Sequence, residues 1–248
     1  MKINYIGKCL LIENAGKRIL VIGDLHLGYG ESLRESGVFM PGDLYSDIVK
    51  EMDNVFGVVE KVDEVVLLGD LKHEFGKIMR SEWKEVSDFL DYLNEKLNGD
   101  GKENVKMSRK IIIVKGNHDV ITGIVTAKKG IEVVDYYIMD GVAFVHGDKD
   151  FAEIYDKKVK YWIMGHGHPA VRISDGVKEE KYKCFLVGKW KGKEIVVVPS
   201  FFSVNEGSDP RDFDLGLAWN FDLSKFNVVV VGEEKLSVLD FGKLGKIK

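Results

Sequence analysis

Several features are absent or scarce in this sequence, and each absence excludes a class of protein. Its 248 residues include no glutamine, only two cysteines and no apolar run near the ~20 residues that a membrane-spanning helix needs. Cys9 and Cys184 lie in apolar, strand-like segments, which predicts buried thiols rather than a disulfide or a nucleophile and favours a reducing, cytoplasmic location. Residues 1–24 are interrupted by Glu13, Asn14 and glycines, so we expect paired strands there rather than a signal peptide.

Other absences concern function. The net charge of -4 provides no overall basic surface for nucleic acid, and the sequence has no Walker loop, G-x-S-x-G elbow or zinc-ribbon cysteine pattern. Apolar residues make up 45% of the chain and charged residues 31%, a balance typical of a folded protein. The sequence has no linker or repeat, so we predict a single α/β domain over residues 1–248.

Runs rich in Val and Ile predict the strands, and their continuous apolar character indicates a sheet covered on both faces. The predicted strands are residues 18–22, 64–68, 110–114, 142–145, 159–164, 184–187, 194–198, 215–221 and 226–231. Helical spacing predicts helices over 44–61 and over 81–97, the second with Ser81 as its N-cap. Residues 27–43 and 98–109 read as long surface loops.

All six histidines lie just after predicted strands, and a glycine stands close to each cluster. The clusters are "GDLHLG", "GDLKHEFG", "GNHD", "HGD" and "GHGH". Because ligands bind beyond the carboxyl ends of the strands in open α/β sheets, these five segments are expected to converge at one edge. Asp24 and His26 are two residues apart, the spacing that puts side chains on one side of a strand.

The residue types of these clusters predict a metal centre. Imidazole, carboxylate and one amide, without thiolate, suit manganese first, with iron, zinc and nickel as alternatives, better than calcium or magnesium. There are seven candidate ligands: Asp24, His26, Asp70, Asn117, His146, His166 and His168. Seven ligands are too many for one ion and suit two ions with a bridging carboxylate. Such a pair, ~3.5–4 Å apart, supports phosphoester hydrolysis.

The ordered series D-x-H, G-D-x-x-H, G-N-H-D, H and G-H-x-H resembles the calcineurin-like metallophosphoesterases. The wording "GDLHLG" and "GDLKHEFG" is similar to a prokaryotic branch of that family whose bacterial members accompany DNA ligases and helicases, and to the nuclease subunit of the double-strand-break repair complex. The resemblance covers residues 24–168. It implies a four-layer αββα sandwich of two mixed β-sheets flanked by helices.

The resemblance also implies roles. The ligands divide into Asp24, His26 and His168 for one ion, Asn117, His146 and His166 for the other, and Asp70 as the bridge. His118 takes the place of the histidine that contacts phosphate or acts as general acid, with Asp119 or another carboxylate orienting it. His73 contacts phosphate or supports a ligand.

Two of these residues, His73 and Asp119, keep structural alternatives, and so does an aromatic pair, Phe201 and Phe202. His73 follows Asp70 by three residues, so its alternative role is to support a metal ligand without contacting the phosphate. Asp119 has the features of an ordinary turn former. Phe201 and Phe202 could stack on bases, but aromatic pairs after a strand more often belong to the core.

The sequence therefore predicts a dinuclear metal-dependent phosphoesterase that cleaves phosphodiesters, with a metal-bridging hydroxide as nucleophile and DNA or other nucleic acid as substrate. The alternatives are a small-molecule or nucleotide phosphatase or phosphodiesterase and, less favoured because every motif residue is present, a non-catalytic interaction scaffold. Partner expectations are a phosphoester substrate, DNA repair proteins by resemblance only, and no membrane; a homodimer is left open.

Overall fold

A computed structural model of the chain describes residues 1–39, 42–74, 79–99, 110–119, 123–174, 176–232 and 236–247. The first sheet has six strands in sequence order: β1 (Lys2–Ile6), β2 (Cys9–Asn14), β3 (Lys17–Ile22), β4 (Glu64–Leu67), β5 (Lys110–Val114) and β6 (Glu132–Val134). β1 to β3 pair antiparallel, which confirms the paired strands expected at the start of the sequence. β3 to β6 are parallel, so their carboxyl ends lie at one edge.

The second sheet contains the remaining strands: β7 (Tyr136–Met139), β8 (Val142–Val145), β9 (Tyr161–Met164), β10 (Ala170–Ser174), β11 (Glu179–Trp190), β12 (Lys193–Val197), β13 (Asn227–Val231) and β14 (Val238–Lys243). Their order is β14-β13-β11-β12-β9-β8-β7, with β10 paired to β11. β8, β9 and β12 are parallel to one another, whereas the outer strands are antiparallel. The carboxyl ends of β8 and β9 therefore also lie together.

Helices cover the outer face of the first sheet. The four helices of the described chain are α1 (Tyr29–Glu35), α2 (Leu44–Val58), α3 (Arg80–Asn98) and α4 (Gly123–Ala127). Apolar residues of α2 and α3, including Met52, Phe89 and Leu93, share one core with the helix-facing residues of β2 to β5. The helical spacing of these side chains is why both helices form, since an apolar stripe gains most by packing against the sheet.

The inner faces of the two sheets form a second, shared core. Val66 and Ile112 from the first sheet are fully or almost fully buried with Phe144, Ile163 and Phe185 from the second. The two mixed sheets packed face to face, with helices outside the first, confirm the predicted sandwich of two mixed sheets. The layer over the second sheet is built mainly from irregular segments and 3-10 turns, which bury Trp219 and other aromatics against Trp162.

Three local predictions were wrong. Residues 27–43 contain helix α1, which begins after Gly28. Residues 215–221 form no strand, because Gly216 has a φ of 68° and the chain turns there to place Leu215 and Trp219 on the second sheet. Ser81 is not the N-cap of α3: the helix begins at Arg80, and the Glu82 side chain accepts the Met79 N–H.

Most of the other predicted strands match observed ones within two or three residues, and 184–187 lies inside the longer β11. The predicted loop over 98–109 lies almost entirely outside the described residues. None of the helices in the described part of the chain combines the length and apolar character needed to cross a bilayer. Cys9 and Cys184 are both buried free thiols, as expected.

Candidate metal centre

Five strand ends meet at one edge of the sandwich, as the sequence predicts. Asp24 and His26 follow β3, Asp70 follows β4, Asn117 and His118 follow β5, His146 follows β8, and His166 and His168 follow β9. The adjacent glycines make this convergence sterically feasible. A Cβ on Gly116 would collide with an Asp70 carboxylate oxygen, and one on Gly69 would lie 2.6 Å from Nδ1 of His146.

The backbone at the site is unusual. Five residues of the cluster have a positive φ: Asp24 (21°), His26 (47°), Asp70 (47°), His166 (63°) and His168 (41°). This conformation is uncommon for residues other than glycine and is typical of functional sites whose surroundings stabilise it. Asp24 and His26 thus face one centre because the chain turns after β3, not because they alternate along a strand.

The first ligand group consists of Asp24, His26, Asp70 and His168, whose donor atoms all lie within 4.8 Å of one another. Nε2 of His168 is 3.2 Å from Asp24 Oδ1 and 3.4 Å from Nε2 of His26. The Asp24 carboxylate is fully buried and also accepts the His166 backbone N–H. Burial alone would raise the pKa of Asp24, but the His168 and His146 rings lower it below its usual value.

The second group consists of Asp70, His146 and His166. Nε2 of His146 lies 3.1 Å from Nδ1 of His166 and 3.4 Å from Asp70 Oδ2. Its Nδ1 is 2.6 Å from the Leu68 carbonyl oxygen, which fixes the ring orientation. Asn117 joins this group through its Oδ1, 3.0 Å from Nε2 of His146.

Asp70 is the one residue common to both groups. It is 2% exposed, and its Oδ1 accepts the His118 backbone N–H at 3.0 Å, which leaves Oδ2 facing the histidines. Although burial opposes ionisation, hydrogen bonding to His146 and the charge of that ring hold the pKa of Asp70 well below its usual range. The carboxylate that the two groups share therefore carries its negative charge at neutral pH.

The donor set fits divalent cations. Nε2 of His26 and Nε2 of His168 face each other beside two buried carboxylates, an arrangement that a cation among them would stabilise. The mixture of imidazole nitrogens with carboxylate and amide oxygens suits first-row transition metals. Each group shares Asp70, so the cluster fits two ions rather than one.

His118 and His73 lie beside the ligand groups. Nδ1 of His118 contacts the His73 carbonyl oxygen, and its Nε2 is 3.8 Å from Asp70 Oδ2. The His118 ring is therefore held by the backbone, with Nε2 directed to the cluster. The His73 ring lies 5.5 Å from the His26 ring and lines the same cavity, and burial lowers the pKa of its imidazole.

Asp119 is 1% exposed and connects two turns of the site. Its carboxylate accepts the backbone N–H groups of Leu71 and Gly116, at 3.1 and 3.0 Å. These contacts join the segment after β4 to the segment after β5. The orienting role of Asp119 on His118 stays a prediction.

Three residues near the site were not found from the sequence. Glu82 on α3 is fully buried and accepts the backbone N–H groups of His73 and Glu74, at 2.9 and 2.8 Å. Asn205 contacts Nδ1 of His168 at 3.3 Å. Tyr29 packs on the His73 ring at 4.3 Å. Of these three residues, only Tyr29 lies next to a motif that the sequence singled out, since it directly follows the D-x-H-x-G segment.

Phe201 and Phe202 are core residues, at 0% and 3% exposure. Their backbone N–H groups donate to the carbonyls of Gly23 and Asp24, both at 3.2 Å. Phe202 also lines the cavity in front of the cluster. The core alternative is thus confirmed for both residues, although Phe202 retains a surface toward the site.

The chain belongs to the calcineurin-like phosphoesterase family, whose model matches residues 17–231. The fold resembles that of the nuclease MPE from Pseudomonas putida, at 16% identity and a TM-score of 0.56, with 94% of this chain and 100% of that chain covered. A further similar structure is Entamoeba histolytica Vps29 complexed with Zn2+, at 15% identity and a TM-score of 0.39, covering 90% and 99% of the two chains. No curated protein matches the sequence.

Proposed function

We propose that this chain is a metal-dependent phosphodiesterase that cleaves nucleic acid, with DNA as its first candidate substrate. The observation that carries the proposal is the Asp70 carboxylate, which belongs to both ligand groups. Two divalent cations sharing it would acidify a water and offset charge on a phosphoryl group. Manganese is the proposed native metal, with iron, zinc and nickel as alternatives.

The side chains of this site have separate tasks in the proposal. Asp24, His26 and His168 hold one cation, while Asn117, His146 and His166 hold the other. His118 contacts the phosphoryl group through Nε2, because its Nδ1–H is engaged by the His73 carbonyl. With both ring nitrogens protonated, it gives the Nε2 proton to the leaving oxygen and stays bonded to the carbonyl through Nδ1. His73 faces the same cavity and contacts the phosphate or supports His26.

Nucleic acid is favoured over other phosphodiesters by two considerations. The P. putida protein that shares this fold along its whole length is a nuclease. Two divalent cations would also add local positive charge to a chain whose net charge is -4. The same net charge favours the second candidate, a nucleotide or small-molecule phosphodiesterase, because such a substrate needs no extended basic surface.

The test uses the purified full chain, stripped of metal and reloaded separately with Mn2+, Fe2+, Zn2+ or Ni2+. Plasmid DNA, a labelled oligonucleotide, bis(p-nitrophenyl) phosphate and p-nitrophenyl phosphate are the substrates. We expect cleavage of both DNA substrates and of the diester, loss of cleavage with a chelator, and best recovery with Mn2+. Diester cleavage without DNA cleavage would select the second candidate, and cleavage of the monoester alone would overturn the diesterase assignment.

Location and partners are also proposals. We place the protein in the cytoplasm because Cys9 and Cys184 are buried free thiols, which suits a reducing compartment. Association with DNA repair proteins and formation of a homodimer stay predictions, to be measured by co-purification and by light scattering.

A further inference from the structure

The cavity in front of the candidate metal centre is lined by side chains of three kinds. It has a volume of about 590 Å³. Four are imidazoles of the site, His26, His73, His118 and His168, and three are polar side chains, Lys181, Asn205 and Glu206. The other side chains of the lining are Tyr29, Phe202 and Val204, which we define as the apolar wall. Phosphate and metal chemistry explains the imidazoles but not the apolar wall.

Two residues of the apolar wall, Tyr29 and Phe202, pack on each other and contact residues of the site. The Tyr29 ring packs edge-to-face on Phe202 at 5.0 Å and on His73 at 4.3 Å. Phe202 is fixed at its backbone, where its N–H donates to the Asp24 carbonyl and its own carbonyl accepts from Lys183 Nζ at 2.6 Å. The wall is therefore preorganised beside the metal centre, which is the condition for a binding surface that costs little ordering on association.

The apolar wall also reaches the protein surface. Phe202 is 3% exposed, Tyr29 is partly buried and Val204 is 38% exposed. Val204 precedes Asn205, whose amide contacts His168. The apolar wall thus extends from a buried residue bonded to the Asp24 backbone to a residue that solvent reaches.

We propose that the apolar wall binds the nucleobase next to the scissile phosphate, so that the site recognises a nucleotide and not a bare phosphodiester. This inference rests on the proposed phosphodiesterase function. Phosphate oxygens and sugar hydroxyls gain nothing from an aromatic and aliphatic surface, whereas the base is the one planar apolar part of a nucleotide. Contacts between bases and aromatic side chains depend little on base identity, so the wall would accept any base.

The test compares substrates that share one leaving group. Thymidine 5′-(p-nitrophenyl phosphate), its 3′ isomer and methyl p-nitrophenyl phosphate all release p-nitrophenolate, and only the first two carry a base. We expect the Mn2+-loaded chain to prefer at least one thymidine ester by about tenfold in kcat/KM, chiefly through KM. Because each preference is a ratio measured on one enzyme preparation, it is independent of the fraction of active protein.

Two variants of the wall locate the effect. The ratio of kcat/KM for the preferred thymidine ester to kcat/KM for the methyl ester is expected to fall close to one in Tyr29→Leu and in Val204→Ser. Tyr29→Phe should retain the wild-type ratio, because the ring and not the hydroxyl supplies the contact. The matched controls are Phe241→Leu on edge strand β14 and Val177→Ser, at a position 97% exposed on the β10–β11 turn. Both controls should keep the wild-type ratio.

The outcomes separate the two proposals. If none of the three esters is hydrolysed, the phosphodiesterase function fails. If all three are hydrolysed with equal kcat/KM, or if Tyr29→Leu and Val204→Ser keep the wild-type preference, the phosphodiesterase stands and the base-binding wall is wrong. A preference lost in both wall variants and kept in both controls supports the inference.

Discussion

The two sheets contribute different chemistry to the same site. The parallel strands of the first sheet are followed by the oxygen donors of the candidate site, Asp24, Asp70 and Asn117, together with His26. The strands of the second sheet end only in imidazoles, His146, His166 and His168. Both ligand groups draw on both sheets, since His168 joins Asp24 in one and His146 joins Asp70 in the other.

This division shows what the shared core between the sheets does for function. Neither sheet alone holds a complete ligand group, so the site exists only when the inner faces pack. Side chains such as Phe144 and Ile163 are fully buried in that core. The packing therefore sets the distance between carboxylates and imidazoles, and the strained turns complete the alignment.

The largest expected effect comes from the residue that belongs to both groups. Asp70→Asn removes the shared charge, so we expect fewer than two bound Mn2+ per chain and a loss of kcat by at least about a thousandfold. Elemental analysis of the dialysed protein and diesterase assays measure the two quantities. Asp47→Asn, on the exposed side of α2, is the control. Full metal content in Asp70→Asn would contradict the shared-ligand assignment.

His118 follows a strand of the first sheet but belongs to neither ligand group, so its substitution tests a catalytic role that is separate from metal binding. We expect His118→Ala to lower kcat by about a hundredfold to ten-thousandfold, the usual contribution of a general acid, while both ions stay bound. The loss of kcat should be smaller for substrates with a good leaving group, such as p-nitrophenyl esters, than for DNA, because their leaving oxygen needs little protonation. A variant with the wild-type rate on DNA would show that the assigned role is wrong.

His166 and His168 offer a sharper comparison, because they are two residues apart and belong to different groups. We expect His166→Asn to weaken binding of only the second ion and His168→Asn only of the first. Each affinity should fall by more than about tenfold to a hundredfold, the loss typical of changing a residue that merely supports a ligand. Manganese electron paramagnetic resonance measures this directly, since a coupled pair of ions and a single ion give different spectra. If either variant loses both ions together, the two groups are not separable in the way the geometry indicates.

The sequence predicted the elements of the fold that follow from local pattern. Continuous apolar runs identified strands such as β4 and β5, and the polar residues after them identified the site edge, because parallel strands end together. It did not predict helix α1, whose seven residues have little apolar periodicity and depend on Gly28 packing against Glu82.

The sequence also could not predict contacts between residues from different segments of the chain. Glu82 supports the His73 backbone from nine residues away, and Asn205 meets His168 from 37 residues away. Nothing in the sequence around either residue signals these pairings, which arise only from the packing of a helix or a loop on the strand ends. The apolar segment 215–221 looked like a strand because burial and strand formation give the same pattern in a short run.

The smallest expected effect concerns protons, and it separates the two ligand groups once more. Burial lowers the pKa of His26 in the first group to about 3, so this ring is already unprotonated at neutral pH. Burial opposes the charge of His146 in the second group too, but the hydrogen bond to Asp70 and the charges of Asp24 and Asp70 raise its pKa to about 9. A cation must displace that proton, so affinity at the second group should rise by up to about tenfold per pH unit toward pH 9 and then level off.

Calorimetric titration with Mn2+ in two buffers of different ionisation enthalpy counts the released protons. At pH 7.5, His168→Asn, which keeps the second group, should release more protons per ion than His166→Asn, which keeps the first. Equal release from the two variants would mean that the electrostatic difference between the groups does not exist in the metal-free protein.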